Sequence, residues 1–320
     1  MYRSKRALLL LGAIWLGASG AALWPEVGAA AQPSPPEPQG EGYVGVQACL
    51  ECHEDQYYSV MASKQGQAAD PRTPFAHNGC ESCHGPGERH ALSEGGKDFG
   101  DMIRFGKHAT APAEQQDAAC IRCHEGGRLQ HWHGSTHDQE GTRCVDCHTV
   151  HRRDAAMSKA TEVEVCDQCH WKIRAETHKA FVHPVRQGQM VCSDCHNPHG
   201  SAGPAELNWL SLNESCYECH AELRGPFLWE HYPVSEDCSI CHTVHGSNNP
   251  GLLVKRVPQL CEECHQSTDH TRRIVGFEFT PPVPGGTNVG PTRFFLGEGC
   301  LNCHGQIHGS NHPSGFELLR

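Results

Sequence analysis

A single long apolar run, "ALLLLGAIWLGASGAAL" at residues 7–23, breaks an otherwise polar chain. No comparable Val/Ile/Leu-rich stretch occurs after residue 24. Beyond that point the pattern predicts short helices, as around "TEVEVCDQCHWKIRAE" and "NESCYECHAELR", where charged residues recur at helical spacing. The 34 Gly and 21 Pro predict loops and turns between them. Little or no sheet is expected.

The apolar run is itself an export signal. Arg3, Lys5 and Arg6 precede it, and the tail "GAAAQ" places small residues at Ala29 and Ala31. Residues 1–31 are expected to be a signal peptide cleaved after Ala31. The alternative is an uncleaved anchor, since the run is near the lower limit for a span. Residues 32–42, "QPSPPEPQGEG", form a Pro-rich leader. Residues 43–320 are then the working domain.

Composition changes the picture of its interior. The chain has 20 cysteines and 25 histidines against 10 Phe and 6 Trp. Something other than aliphatic side chains must fill the core. The formal charge of −11 argues against nucleic acid or an anionic lipid surface as partner.

Every cysteine falls in a Cys-x-x-Cys pair. The pairs are Cys49/Cys52, Cys80/Cys83, Cys120/Cys123, Cys144/Cys147, Cys166/Cys169, Cys192/Cys195, Cys216/Cys219, Cys238/Cys241, Cys261/Cys264 and Cys300/Cys303. Each is followed at once by a histidine: His53, His84, His124, His148, His170, His196, His220, His242, His265 and His304. Two thiols at this spacing can each add to one vinyl group of a haem. The next residue then lies over the iron as its proximal ligand. A zinc ribbon needs two knuckles per site and no following His. A thioredoxin-like dithiol would occur once or twice. Ten covalent c-type haems are the expectation.

The motifs repeat. First cysteines at 120, 166, 216 and 261 lie 46, 50 and 45 residues apart, and those at 144, 192 and 238 lie 48 and 46 apart. The chain thus reads as five units of two motifs. The second motif of each unit carries flanking histidines. The leading ones are His77, His137, His183, His231 and His270; the trailing ones are His90, His151, His199, His245 and His308. Ten extra histidines for ten irons predict bis-His ligation throughout. A His three residues past the proximal one starts on the wrong face of its own haem, so it is expected to reach a neighbour. His108, His131, His133, His178 and His312 are surplus, and the methionines do not follow the repeat.

About 29 residues per haem leave the porphyrins themselves as the core. The expected fold class is a multihaem cytochrome c, mostly irregular loops with short α-helices wrapped around a haem chain. A one-dimensional repeat favours an elongated body. The haem-free stretch between His265 and Cys300 reads as an extended loop.

Filled axial positions suit electron transfer rather than substrate binding. The order of motifs, together with "CSDCHNPHG", "ELRGPFLWEH" and the ending "CLNCHGQIHGSNHPSG", resembles the periplasmic decahaem cytochromes of outer-membrane metal-respiring conduits. The resemblance covers about residues 43–320. It implies a haem wire seated in an outer-membrane β-barrel porin, taking or giving electrons through periplasmic or inner-membrane cytochromes and a surface multihaem cytochrome. It implies periplasmic N-terminal haems and outward-facing C-terminal ones. The chain departs from that family at Gln65, in "VMASKQGQ", where a histidine is often found. One N-terminal haem would then depend on His77 or His312, or keep an open site. The rival readings are a soluble periplasmic shuttle or store, and an enzyme with an open haem. No Cys-x-x-Cys-Lys motif marks such an enzyme.

Overall fold

The computed structural model describes residues 37, 39–93, 96–265, 299–302 and 304–316. The expected signal peptide, most of the leader, the loop between His265 and Cys300, His270 and Cys303 lie outside the described residues.

Each motif folds as one closed helical turn. The histidine N–H donates to the carbonyl of the first cysteine in all ten motifs, at 2.8–3.1 Å. Residues i and i+3 share a face of such a turn, so both cysteines point the same way. The chain leaves this turn differently in the two motifs of a unit. In three first motifs the histidine is the N-cap of a new helix: His53 for Glu54–Met61, His170 for Trp171–Glu176, His220 for the short turn Ala221–Leu223. In none of these does the imidazole cap the helix by a hydrogen bond. In the second motif at Cys144–Cys147 the chain instead leaves extended, with His148 at ψ 145°.

The helices are short because local caps and Gly/Pro breaks bound them. Ser211 starts Leu212–Tyr217 by accepting from the Glu214 N–H, and Ser135 does the same for Thr136–Gln139 from Asp138. The longest described helix, Ala113–Ile121, has nine residues. None is long and apolar enough to cross a membrane. Among the described residues β-structure is confined to isolated bridges, such as Phe181 with Ser247 and Trp229 with Ser310.

Hydrophobic burial is sparse. Val46, Val60 and Phe75 form one small cluster with Tyr57, Met61 and Ala68 against it. Elsewhere only Trp132, Val191 and Leu207 are buried hydrophobics among the described residues. Close-packed interiors are the rule in stable proteins, and the polypeptide alone does not supply one. Polar clamps take over part of the task. Glu81 is buried and accepts from the N–H groups of Val44, Gly45 and Gly87 at 2.8–3.0 Å. Asp117, Asn213 and Glu162 sit just before a first motif, and each accepts from the second motif of its unit. The donors are the N–H groups of Cys144, Cys238 and Ser193.

Consecutive units are joined by a repeated "x-His-Gly-Ser" corner at Pro198–Ser201, Val244–Ser247 and Ile307–Ser310. The glycine allows close approach. A Cβ on Gly200 would run into the His131 carbonyl, on Gly246 into the Glu176 carbonyl, and on Gly309 into the Phe227 ring. Gly246→Ala should therefore destabilise the haem-loaded protein by about 1–3 kcal/mol through backbone displacement. Denaturant midpoints of the haem-loaded protein check this. Gly188→Ala, at a position open to solvent but with positive φ, should cost only about 1 kcal/mol.

Candidate haem sites

The histidines come together in pairs. Ring centres lie 6.1 Å apart for His84 and His151, 6.0 Å for His148 and His199, 6.2 Å for His196 and His245, and 6.0 Å for His242 and His308. These are the second motifs, each facing the trailing histidine of the next unit. First motifs face a leading histidine from the unit before: His170 with His137 at 6.0 Å, His220 with His183 at 6.5 Å, His265 with His231 at 6.0 Å. His53 has no preceding unit and faces His90 of its own, at 6.2 Å. The spacing has a specific meaning. Two imidazoles ligating one ion from opposite sides, each by a metal–nitrogen bond of about 2 Å, put their ring centres about 6 Å apart.

For many of the rings orientation is set from the far side. The Nδ1–H of His84 donates to the Ile103 carbonyl at 2.9 Å, that of His196 to Ala205 at 2.9 Å and that of His242 to Gly251 at 2.8 Å. Leading histidines use the corner of the next unit. His137 donates to the Pro198 carbonyl and His183 to Val244, both at 2.8 Å, and His231 to Ile307. A carbonyl can only accept, so Nδ1 carries the proton and Nε2 keeps its lone pair for a metal. His148 is the exception: its Nδ1 meets the Asp154 carboxylate at 2.7 Å.

Protonation favours ligation as well. Burial pushes the imidazoles of His84, His199, His231, His245 and His308 below their ordinary range, His199 to about 4. Neutral rings are what iron requires.

The cysteines link the sites in order. Within a unit the first sulfurs are hydrogen-bonded partners: Cys49 with Cys80, Cys120 with Cys144, Cys166 with Cys192, Cys216 with Cys238. Across unit boundaries the second sulfurs are electrostatic neighbours: Cys83 with Cys123, Cys147 with Cys169, Cys195 with Cys219, Cys241 with Cys264. Cys52 is exposed, as are the second cysteines of the other first motifs, Cys123, Cys169, Cys219 and Cys264. In the haem-loaded protein the motif sulfurs are thioethers without a proton to lose. Glu162 lies beside Cys166 and Cys192 in the same arrangement, but its two oxygens are taken by the N–H and hydroxyl of Ser193.

The residues fit haem on a further count. The Nδ1 atoms of His90 and His199 and the Nε1 of Trp132 are buried without a partner in the polypeptide. Buried donors of this kind need acceptors, and a haem brings carboxylates. A covalently attached haem supplies the one-electron iron couple, while the chain supplies ligands, orientation and burial.

Not every expected histidine is paired. His77 and His124 make no ring contact with another histidine among the described residues, and His270 lies outside them. His312 is committed elsewhere: its Nδ1 accepts from the Ser314 N–H at 3.1 Å, which leaves the proton on Nε2. Its carbonyl accepts from the Trp229 indole. His178 donates to the Arg174 carbonyl at the end of its helix. Sequence reasoning missed the partners of Nδ1, the cross-motif clamps and Asp154. The recurring "His-Gly-Ser" corner was a signal for the first of these.

The exchange between units is open to a direct test. His199→Ala should perturb the haem on Cys144 and Cys147, not the nearer one on Cys192 and Cys195. One haem in the optical spectrum should turn high-spin and bind carbon monoxide, while the rest stay unchanged.

Comparison with known proteins agrees with this geometry. The doubled CXXCH motif family matches residues 183–225 and 231–270. The cytochrome c-type protein NrfB-like family matches residues 80–169. The multiheme cytochrome MtrA of Shewanella baltica (strain OS185) is 45% identical over 279 residues, covering 86% of this chain and 81% of the relative. Repeated attachment turns, paired imidazoles and a relative this similar over most of its length lead to one conclusion: the chain belongs to the MtrA-like family of multihaem c-type cytochromes, and it carries electrons on covalently bound haems.

Proposed function

We propose that each imidazole pair holds one haem iron, and that the haems form a continuous electron path across an outer-membrane porin–cytochrome conduit. The observation that carries this is the ring-centre spacing of 6.0–6.5 Å, repeated between histidines that come from different motifs. The sulfur contacts between successive motifs support continuity. Residues 1–31 export the chain, and residues 43–320 form one electron-transfer domain of five two-haem units. Cys52 and Cys49 attach the haem that begins the path.

The pairing rule extends to the remaining sites. A leading histidine serves the first motif of the following unit, which assigns His77 to His124. By elimination His270 goes to His304. Gln65 then leaves no haem short of a ligand. The partners come from the family: an outer-membrane β-barrel porin around the protein, a periplasmic or inner-membrane cytochrome at one end and a surface multihaem cytochrome at the other. The protein works in the periplasm, associated with the outer membrane.

Near-infrared magnetic circular dichroism of the ferric protein tests the ligation. Bis-His low-spin haem alone is expected, and His77→Ala should create one high-spin haem at Cys120 and Cys123. High-spin haem in the unmodified protein would overturn full ligation. Membrane fractionation tests the assembly. Co-purification with a β-barrel is expected; recovery of all the protein in the soluble periplasmic fraction would favour a shuttle instead.

A further inference from the structure

The histidines of the second motifs differ in one respect. In units one, three and four the proximal ring donates its Nδ1–H to a backbone carbonyl: His84 to Ile103, His196 to Ala205, His242 to Gly251. In unit two His148 meets the carboxylate of Asp154 at 2.7 Å. The cause is local sequence. Units three and four continue past the trailing histidine as His-Gly-Ser and reach their carbonyl nine residues beyond the proximal one. Unit two reads His151-Arg152-Arg153-Asp154 at that corner, bringing a carboxylate in after six.

Asp154 is built into place. Its Oδ1 accepts from the Ala156 N–H at 3.0 Å, capping the turn Ala155–Met157, while Oδ2 faces the imidazole. Its side chain is 20% exposed. Glu176, Glu222 and Glu206 approach axial-type rings less closely. Glu176 is 3.4 Å from His245 and 38% exposed, and Glu222 is 3.6 Å from His220 and 68% exposed. Glu206 is 3.7 Å from His137, whose Nδ1–H already goes to Pro198. Arg152 and Arg153 are exposed and form no ion pair with Asp154 among the described residues.

A carboxylate is a stronger acceptor than a carbonyl, and it adds a negative charge that little solvent screens. Drawing the Nδ1 proton toward oxygen raises the electron density at Nε2 and makes the ring a more basic ligand. The ferric iron, with one more positive charge than the ferrous, gains more from this. Hydrogen bonding around the ligand is one of the established levers on haem potential. We propose that Asp154 tunes the haem on Cys144 and Cys147 to a lower reduction potential than its carbonyl-paired counterparts on Cys80/Cys83, Cys192/Cys195 and Cys238/Cys241. Asp154 acts through His148 and is a positioning and tuning residue. Electrons passing along the chain then meet a raised step at the fourth motif, between unit one and unit three.

This inference rests on the ligation of that haem by His148 and His199. The test uses the full-length haem-loaded protein and compares it with Asp154→Asn and Asp154→Ala in potentiometric titrations followed by absorbance and electron paramagnetic resonance. In both variants the absorbance of one haem should move to more positive potential, with the others unmoved and the low-spin count unchanged. Titration curves that superimpose on the parent's would overturn the proposal. So would high-spin haem in Asp154→Asn, because Asp154 would then be holding the ligand rather than tuning it. High-spin haem at this motif in the unmodified protein would instead overturn the ligation itself, which the spectrum reports before any titration.

Discussion

Nearly everything in this protein depends on an exchange of histidines between repeats. A ring that is to ligate iron must be neutral, aimed and held about 6 Å from its counterpart. Here the counterpart comes from another unit in every described pair but that of His53 and His90. The same corner that presents a trailing histidine also accepts the Nδ1–H of a leading one, through the carbonyls of Pro198, Val244 and Ile307. One stretch of four residues thereby serves two sites. The cross-links this creates compensate for the few buried hydrophobic side chains.

The two motifs of a unit play different parts. Proximal histidines of first motifs, such as His124, His170 and His220, are exposed on the polypeptide, and those of second motifs, such as His84, His148 and His242, are half-buried. The paired rings of the second motifs are also uniformly close to parallel, within 13–30°. Among first motifs the angle reaches 79° at His137 and His170. Exposure and hydrogen bonding of the proximal ring therefore alternate along the chain, and each is a lever on potential.

The chemistry was legible early because covalent attachment demands a fixed spacing. Cys-x-x-Cys-His reports its own function, and its count of ten needed no fold. The short helices around Cys166 and Cys216 were legible too, since their charged faces, and the Ser211 cap of the second, are local. The pairing partners were not. Nothing in the spacing of His151 says that it faces His84, more than sixty residues back, because that contact depends on how successive units pack. The reading that a trailing histidine starts on the wrong face of its own haem pointed to a neighbouring haem without saying which. Asp154 was invisible on related grounds. A single carboxylate among scattered acidic residues acquires meaning only when the backbone turns it onto His148.

The ligand rule also bears on how such a protein changes in length. On the proposed assignment each internal unit receives histidines from its neighbours and gives an equal number away. Only the end units supply their own, through His90 and His53 at the start and, on the proposed assignment, His270 and His304 at the finish. A whole unit duplicated or lost in the middle leaves the balance intact, whereas a chain ended between units strands an iron with one axial side open. Growth by pairs of haems is thus neutral to coordination, and reach across a membrane becomes a quantity that evolution can adjust in whole steps without redesigning any site.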